Sequence, residues 1–269
     1  MGMEKTLEGK NFIVTGASRG IGLAAAKAIG RRGGRAALFG RDAALLAEGA
    51  AAVGNGSLGF AVDLEDRAAL IAAIDRAAAA LDGLDGIINN AGQVLATRVE
   101  ALRPQDVAHQ VNVNFLAQVY GCQGAIPHLR RRGGGRIINV SSVTVRKLDE
   151  FAFISVYSAT KAAVERFTLD LREEVKMDNI GVTLFSPGST STAFGSGQDP
   201  VIVGEAFEVW LRRAEMYDGT LSAEIVGETL VRCLELPDGV NIDFLELSPN
   251  KPATRRSTLE AYADRGNNP

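Results

Sequence analysis

Cysteine and histidine are both scarce in this chain of 269 residues, at two each. Cys122 and Cys233 fall in separate helical patterns and read as small core residues, so no disulfide framework is expected. His109 and His128 offer little from which to build a histidine triad or a zinc site, and no Cys/His cluster has metal-ligand spacing. Aromatic residues are only 6% of the chain, although 46% is hydrophobic, so the core must be largely aliphatic. Neither sign of charge dominates. A net charge of −3 gives no long-range pull toward nucleic acid or an anionic membrane. The densest basic run, Arg130–Arg131–Arg132, suits a solvated helix end as well as a phosphate patch. No stretch approaches the roughly 20 apolar residues of a membrane span, and the first ten residues carry no apolar signal core. The expectation is a cytoplasmic protein with no nucleic-acid or membrane partner.

What is present is a regular alternation. Seven short runs, at Asn11–Thr15, Arg35–Phe39, Ser57–Val62, Gly86–Asn89, Arg136–Val140, Val182–Phe185 and Asp243–Leu247, are mostly apolar on both faces, as strands between two helix layers must be. Between them apolar residues recur at helical spacing, as in Ile21, Ala24, Ala25, Ala28 and Ile29, and again in Leu70, Ile71, Ile74, Ala77, Ala78 and Leu81. Strand–helix alternation with right-handed crossovers predicts an α/β, doubly wound Rossmann fold. It would carry one mostly parallel seven-stranded sheet with helices on both faces. We expect a single domain over residues 1–251, including an excursion at about 190–219 that reaches over the site, and a polar tail over 252–269.

The first strand runs into Thr15-Gly16-Ala17-Ser18-Arg19-Gly20-Ile21-Gly22, where a helix begins. Gly16 permits a tight turn, Gly20 removes a side chain where a diphosphate must approach, and Gly22 lets the helix pack closely on the sheet. The helix start then offers unpaired N–H groups to an anion. A tight strand–helix turn alone would need some of the same glycines.

In dinucleotide folds an acidic residue about 20 positions further on grips the adenosine ribose. Here Gly40 stands in that place, followed by Arg41, and Arg19 sits in the glycine loop. Two guanidinium groups and no acid favour NADP(H). Asp42 is adjacent and keeps NAD(H) possible. Asp63, in Val62-Asp63-Leu64, fits either an adenine contact or a helix N-cap.

Tyr157 and Lys161 stand at i and i+4, on one face of a helix. A free tyrosine has a pKa near 10. A neighbouring ammonium favours the phenolate, which would let Tyr157 act as general acid in reduction and general base in oxidation. The fifth strand ends in Ser141-Ser142, at the carboxyl edge where open α/β sheets bind ligands. Asn89-Asn90-Ala91-Gly92 closes the fourth strand, and Pro187-Gly188-Ser189-Thr190-Ser191-Thr192 follows the sixth. Either could be a simple turn.

These landmarks, in this order from Thr15 to Thr192, resemble the short-chain dehydrogenase/reductase family. The resemblance implies an oxidoreductase that moves a hydride between NADP(H) and a carbonyl or secondary alcohol. Its catalytic residues would be Asn114, Ser142, Tyr157 and Lys161. Asn114 is preferred over Asn112 by register on the downstream Ala125–Leu129. The cofactor would meet Gly16, Ser18, Arg19, Gly20, Ile21, Gly22, Arg41, Asp63, Leu64, Asn90, Ala91, Gly92, Tyr157, Lys161, Pro187, Gly188 and Thr192, and no metal is implied. The resemblance also implies a homotetramer or dimer, pairing through the helices after Pro104 and around Tyr157.

The segment from Ser142 to Tyr157 is slightly longer than the family's commonest form, which leaves the pocket wall open. Phe151, Phe153, Phe194, Trp210, Met216 and Tyr217 suit either an apolar pocket or ordinary core, and Arg146 and Lys147 either an acidic substrate group or solvent. Val240–Pro249 resembles the end of members acting on small hydroxy acids or sugar-like compounds. A catalytically silent NADP-sensing protein is the alternative that the fold allows.

Overall fold

A computed structural model describes residues 5–147, 151–191, 198–213 and 219–250. Thr192, Phe194, Met216, Tyr217 and the tail 252–269 lie outside these.

Seven strands form one sheet: β1 Asn11–Thr15, β2 Arg35–Gly40, β3 Leu58–Ala61, β4 Gly86–Asn89, β5 Gly135–Val140, β6 Ile180–Pro187 and, last in the chain, β9 Phe244–Leu247. Two further strands, β7 Thr190–Ser191 and β8 Leu221–Ser222, pair only with each other. The large sheet has the order β3-β2-β1-β4-β5-β6-β9, and every pairing is parallel. This is the doubly wound Rossmann arrangement expected from the alternation. The chain reverses its direction across the sheet between β1 and β4, and that switch point is where such sheets bind ligands.

The period-2 geometry of strands explains the apolar runs. Ile13, Ile87 and Ile137 point to one face, Val14, Ile88 and Ile138 to the other, and all six are fully buried. The first face is covered by α3 (Arg67–Ala80), α5 (Ala117–Arg132) and α6 (Ser155–Val175). The second is covered by α1 (Gly20–Arg31), α2 (Ala43–Val53) and α8 (Ala223–Arg232). Alanine at Ala24, Ala25, Ala26 and Ala28 lets α1 pack close to the sheet and to α8, which is how a core poor in aromatics is filled.

Several sequence expectations are refined. The helix after Pro104 is not continuous: α4 (Pro104–Val111) passes through a π-helical turn, Asn112–Leu116, before α5 begins. The excursion holds β7 and a further helix, α7 (Pro200–Arg213). Arg130–Arg132 ends α5, where Gly133 takes the left-handed conformation, and Arg130 pairs with Asp178 and Arg132 with Asp85. Both cysteines are free and buried. Among the described residues no helix is long and apolar enough to cross a membrane, and no group of His, Cys, Asp or Glu could hold a metal ion.

Candidate active site

The carboxyl ends of β1 and β4 are clasped together. The Thr15 hydroxyl accepts the N–H groups of Asn90 and Ala91 at 3.0 and 3.1 Å, and the Asn90 amide donates to the Thr15 carbonyl at 2.9 Å. Gly16 has φ +64, and a Cβ there would lie 2.9 Å from the Ala91 Cα. A Cβ on Gly22 would lie 2.4 Å from the Gly16 carbonyl oxygen. Both glycines are therefore fixed by backbone contacts, not only by a ligand. Thr15 was visible only as the motif's first letter; nothing local in the sequence announces its clasping role.

α1 starts at Arg19–Gly20 with no side-chain cap. Arg19 and Arg41 are exposed and make no ion pair among the described residues. The Ser18 hydroxyl oxygen would be 2.9 Å from a Cβ on Gly40, so the glycine loop and the end of β2 lie against each other and any larger residue at 40 must displace Ser18. Ile21 is half-buried behind the loop and packs on the core of that face. Asp42 is committed elsewhere: its carboxylate accepts from the N–H groups of Ala44 and Leu45 and caps α2. Asp63 does not cap α3, because Asp66 does; Asp63 accepts from the Glu65 N–H at 3.0 Å, and the neighbouring Leu64 is buried.

Tyr157 and Lys161 share the inner face of α6, and both are buried. Tyr157 hydrogen-bonds with the Ser142 side chain. Ser141 turns the other way, to the Lys161 carbonyl and Glu165, which separates the two serines by role. The Lys161 ammonium donates to the Val140 carbonyl at 2.9 Å and lies 5.9 Å from the Tyr157 ring centroid. No carboxylate pairs with it among the described residues.

The electrostatics differ from the simple expectation that Lys161 lowers the tyrosine. Burial pushes Tyr157 up to about 12, and the Ser142 hydrogen bond only partly opposes this. Burial also brings Lys161 down to about 7, so its charge is weakly held at neutral pH.

Asn114 is fully buried in the π-helical turn. Its Oδ1 accepts from the Gln93 N–H at 2.7 Å, and its amide donates to the Gln93 carbonyl and to Thr160. A Cβ on Gly92 would lie 3.4 Å from both Asn114 Oδ1 and Lys161 Nζ, so Gly92 sits directly over these two groups. Asn112 instead donates to Glu65. Pro187 pairs with Leu247, and the Gly188 N–H donates to the Leu247 carbonyl at 2.7 Å, which ties the end of β6 to the edge strand β9. Gln93 and Thr160, which hold Asn114, were not singled out from sequence. Arg146 is exposed but not free: it forks onto Glu165 with two 2.7 Å bonds and lies 4.1 Å over the Phe244 ring.

The arrangement suits a dinucleotide. It has an uncapped helix start, two exposed arginines with no ion pair among the described residues, and Gly92 against the buried Asn114 and Lys161. The short chain dehydrogenase family model matches residues 10–200. The chain belongs to the short-chain dehydrogenase family. An uncharacterized oxidoreductase of Staphylococcus aureus strain MW2 is 30% identical over 244 residues, covering 90% of this chain and 98% of that protein. A Burkholderia cenocepacia short chain dehydrogenase, solved in complex with NADP, is 30% identical with a TM-score of 0.76, over 91% of this chain and 98% of that one. An alcohol dehydrogenase from Thermococcus sibiricus, complexed with 5-hydroxy-NADP, shares the fold at 23% identity with a TM-score of 0.76, over 89% of this chain and 96% of that one. This short-chain dehydrogenase is accordingly an oxidoreductase, and its Ser142–Tyr157–Lys161 cluster lies at the carboxyl edge of β5 and on α6.

Proposed function

We propose that this protein is an NADP(H)-dependent oxidoreductase acting on a carbonyl or secondary alcohol, with Tyr157 as the proton-transfer residue. The observation that carries the reading is the buried Tyr157 hydroxyl bonded to Ser142, with the unneutralised Lys161 amine on the same helix face. Gly16, Ser18, Arg19, Gly20, Ile21 and Gly22 would hold the diphosphate, and Arg19 and Arg41 the adenosine 2′-phosphate. Asp63, Leu64, Asn90, Ala91 and Gly92 would flank the adenosine side, while Pro187, Gly188 and Thr192 would meet the nicotinamide. When bound, the nicotinamide supplies or accepts the hydride.

Ser142 orients the substrate oxygen and stabilises charge developing there. Tyr157 gives that oxygen a proton in reduction and takes it in oxidation. Protonated Lys161 stabilises the phenolate, and Asn114 fixes the floor beneath Gly92. Burial raises Tyr157 and lowers Lys161, so a charge held on Lys161 in the working complex favours the phenolate. The chain would work as a dimer or tetramer joined through the helices after Pro104 and around Tyr157.

Tyr157→Phe tests the assignment. Turnover with a screened ketone should fall by at least about a thousandfold, in line with the loss of general acid–base catalysis, while NADPH titration gives an unchanged Kd. Near-normal turnover would remove Tyr157 from the chemistry. NADPH binding with no consumption by the unmutated protein, across ketones, aldehydes and alcohols, would favour a silent sensor.

A further inference from the structure

The Tyr157 ring packs with Ala96, Ile154 and Ala206 in an apolar cluster separate from the two that fill the faces of the sheet. Three aromatic rings lie against it. Phe151 and Trp210 meet edge to face at 5.5 Å, and Phe153 joins the same cluster. These rings are held in place. The Trp210 indole N–H donates to the Ala152 carbonyl at 2.9 Å. Phe153 sits at φ +63, a conformation rare for a bulky side chain, and its carbonyl accepts the Thr97 N–H at 2.7 Å. Backbone strain kept at such a point fits a ring whose position matters.

The nearby arginines already have partners, and the Lys161 amine donates to the Val140 carbonyl. Arg146, which follows Ser142 closely in the chain, is forked onto Glu165 and stacks on the Phe244 ring. Arg98 pairs with Glu205 at 3.0 Å and lies 4.9 Å from the Phe153 ring centroid. A carboxylate brought to Tyr157 would lose its water and meet aromatic rings. A hydrocarbon group would gain from the same rings.

We propose that the substrate of this site is an uncharged, apolar carbonyl compound, its aromatic or bulky hydrocarbon group held against Trp210, and that α-keto acids are refused. This rests on the reading of Tyr157 as the proton-transfer residue. It departs from the small hydroxy acids that the Val240–Pro249 resemblance suggests.

Trp210 is the single tryptophan of the chain, so its emission reports on this wall alone. The test uses benzylacetone and its keto-acid counterpart, in which a carboxylate replaces the terminal methyl. In the Tyr157→Phe protein with NADP bound, benzylacetone should change Trp210 emission saturably and the keto acid should not. In the unmutated protein, kcat/KM with NADPH should favour benzylacetone by at least about tenfold, the scale on which one pocket contact discriminates. Trp210→Ala should raise KM for benzylacetone more than it lowers kcat, and Trp210→Phe should restore most of the loss. If Trp210→Ala does not fold, Phe151→Leu probes the same wall. Turnover confined to the keto acid, or turnover of benzylacetone with Trp210 emission unmoved, overturns the proposal. A saturable Trp210 signal without any turnover counts against Tyr157 chemistry and supports the pocket.

Discussion

Two strand-to-helix turns lie side by side at the carboxyl edge of the sheet, and they end differently. After β2, the Asp42 carboxylate caps α2 by accepting from Ala44 and Leu45. After β1, α1 starts at Arg19 in extended geometry with no side-chain cap. Either turn could have been closed in the same way, since φ −162 and ψ 179 at Arg19 are compatible with a capping residue. The first helix is left with its N-terminal donors uncapped and its positive dipole end near Arg19 and Arg41, which make no ion pair among the described residues. The capped turn contributes stability to the fold. The uncapped one forgoes that stability and leaves its N–H groups open to an anion.

Closing the open turn should have the largest effect. Arg19→Asp places a capping carboxylate where the phosphate would sit and removes a guanidinium partner. We expect the protein without cofactor to gain roughly 0.5–1 kcal/mol, the size of a single cap. NADPH affinity should fall at least about a hundredfold, from loss of one charge-assisted contact and gain of like-charge repulsion. Thermal unfolding without ligand and a fluorescence titration with NADPH measure the two halves separately. A variant that binds NADPH normally would show that the uncapped helix start is not the phosphate site.

Much of this was legible in the sequence, for local reasons. Strands buried on both faces write themselves as short apolar runs, and Tyr157 and Lys161 share a helix face by spacing alone. The open turn was legible too, because glycine positions carry backbone geometry directly. What was not legible depends on partners distant in the chain. Asp42 read as a possible ribose contact and Asp63 as either an adenine contact or a helix cap, and only the helix starts show that Asp42 and Asp66 are the caps. Arg146 read as a free charge because nothing local announces Glu165 or Phe244 as its partners. The burial that raises Tyr157 was hidden for the same reason. The spacing shows the ammonium, but burial of Tyr157 depends on Ala96 and Ala206, brought in from other elements. The π-helical turn that carries Asn114 has no signature in residue type at all.

A smaller effect is expected at Arg41, which sharpens what the open turn is for. Gly40 places no acid near the adenosine, and Ser18 already occupies the space beside it. If Arg41 meets a 2′-phosphate, Arg41→Ala should weaken NADPH about tenfold, the loss of one hydrogen bond to a charged group at a solvent-exposed site. NADH, which lacks that phosphate, should bind almost as before. Parallel titrations of the two cofactors give the ratio. Equal losses for both would assign Arg41 to the diphosphate or to general attraction.

Asp42→Ala opens the second turn and should have the smallest effect on ligands. Two N–H groups of α2 lose their acceptor but face water, so the cost is that of an exposed N-cap, about 1 kcal/mol. In a chain of this size that lowers Tm by roughly 2–4 °C. The variant separates the two readings of an acid next to Gly40 and Arg41. If Asp42 serves only the helix, NADPH and NADH affinities both stay within about twofold while Tm falls, a change of less than 0.5 kcal/mol in binding. If Asp42 also grips an adenosine ribose, NADH binding weakens with it, and NADPH binding improves as a negative charge leaves the phosphate's surroundings. A fall in Tm with unchanged cofactor preference would leave the two turns as they stand in the structure, one closed by its own carboxylate and one open for a ligand's phosphate.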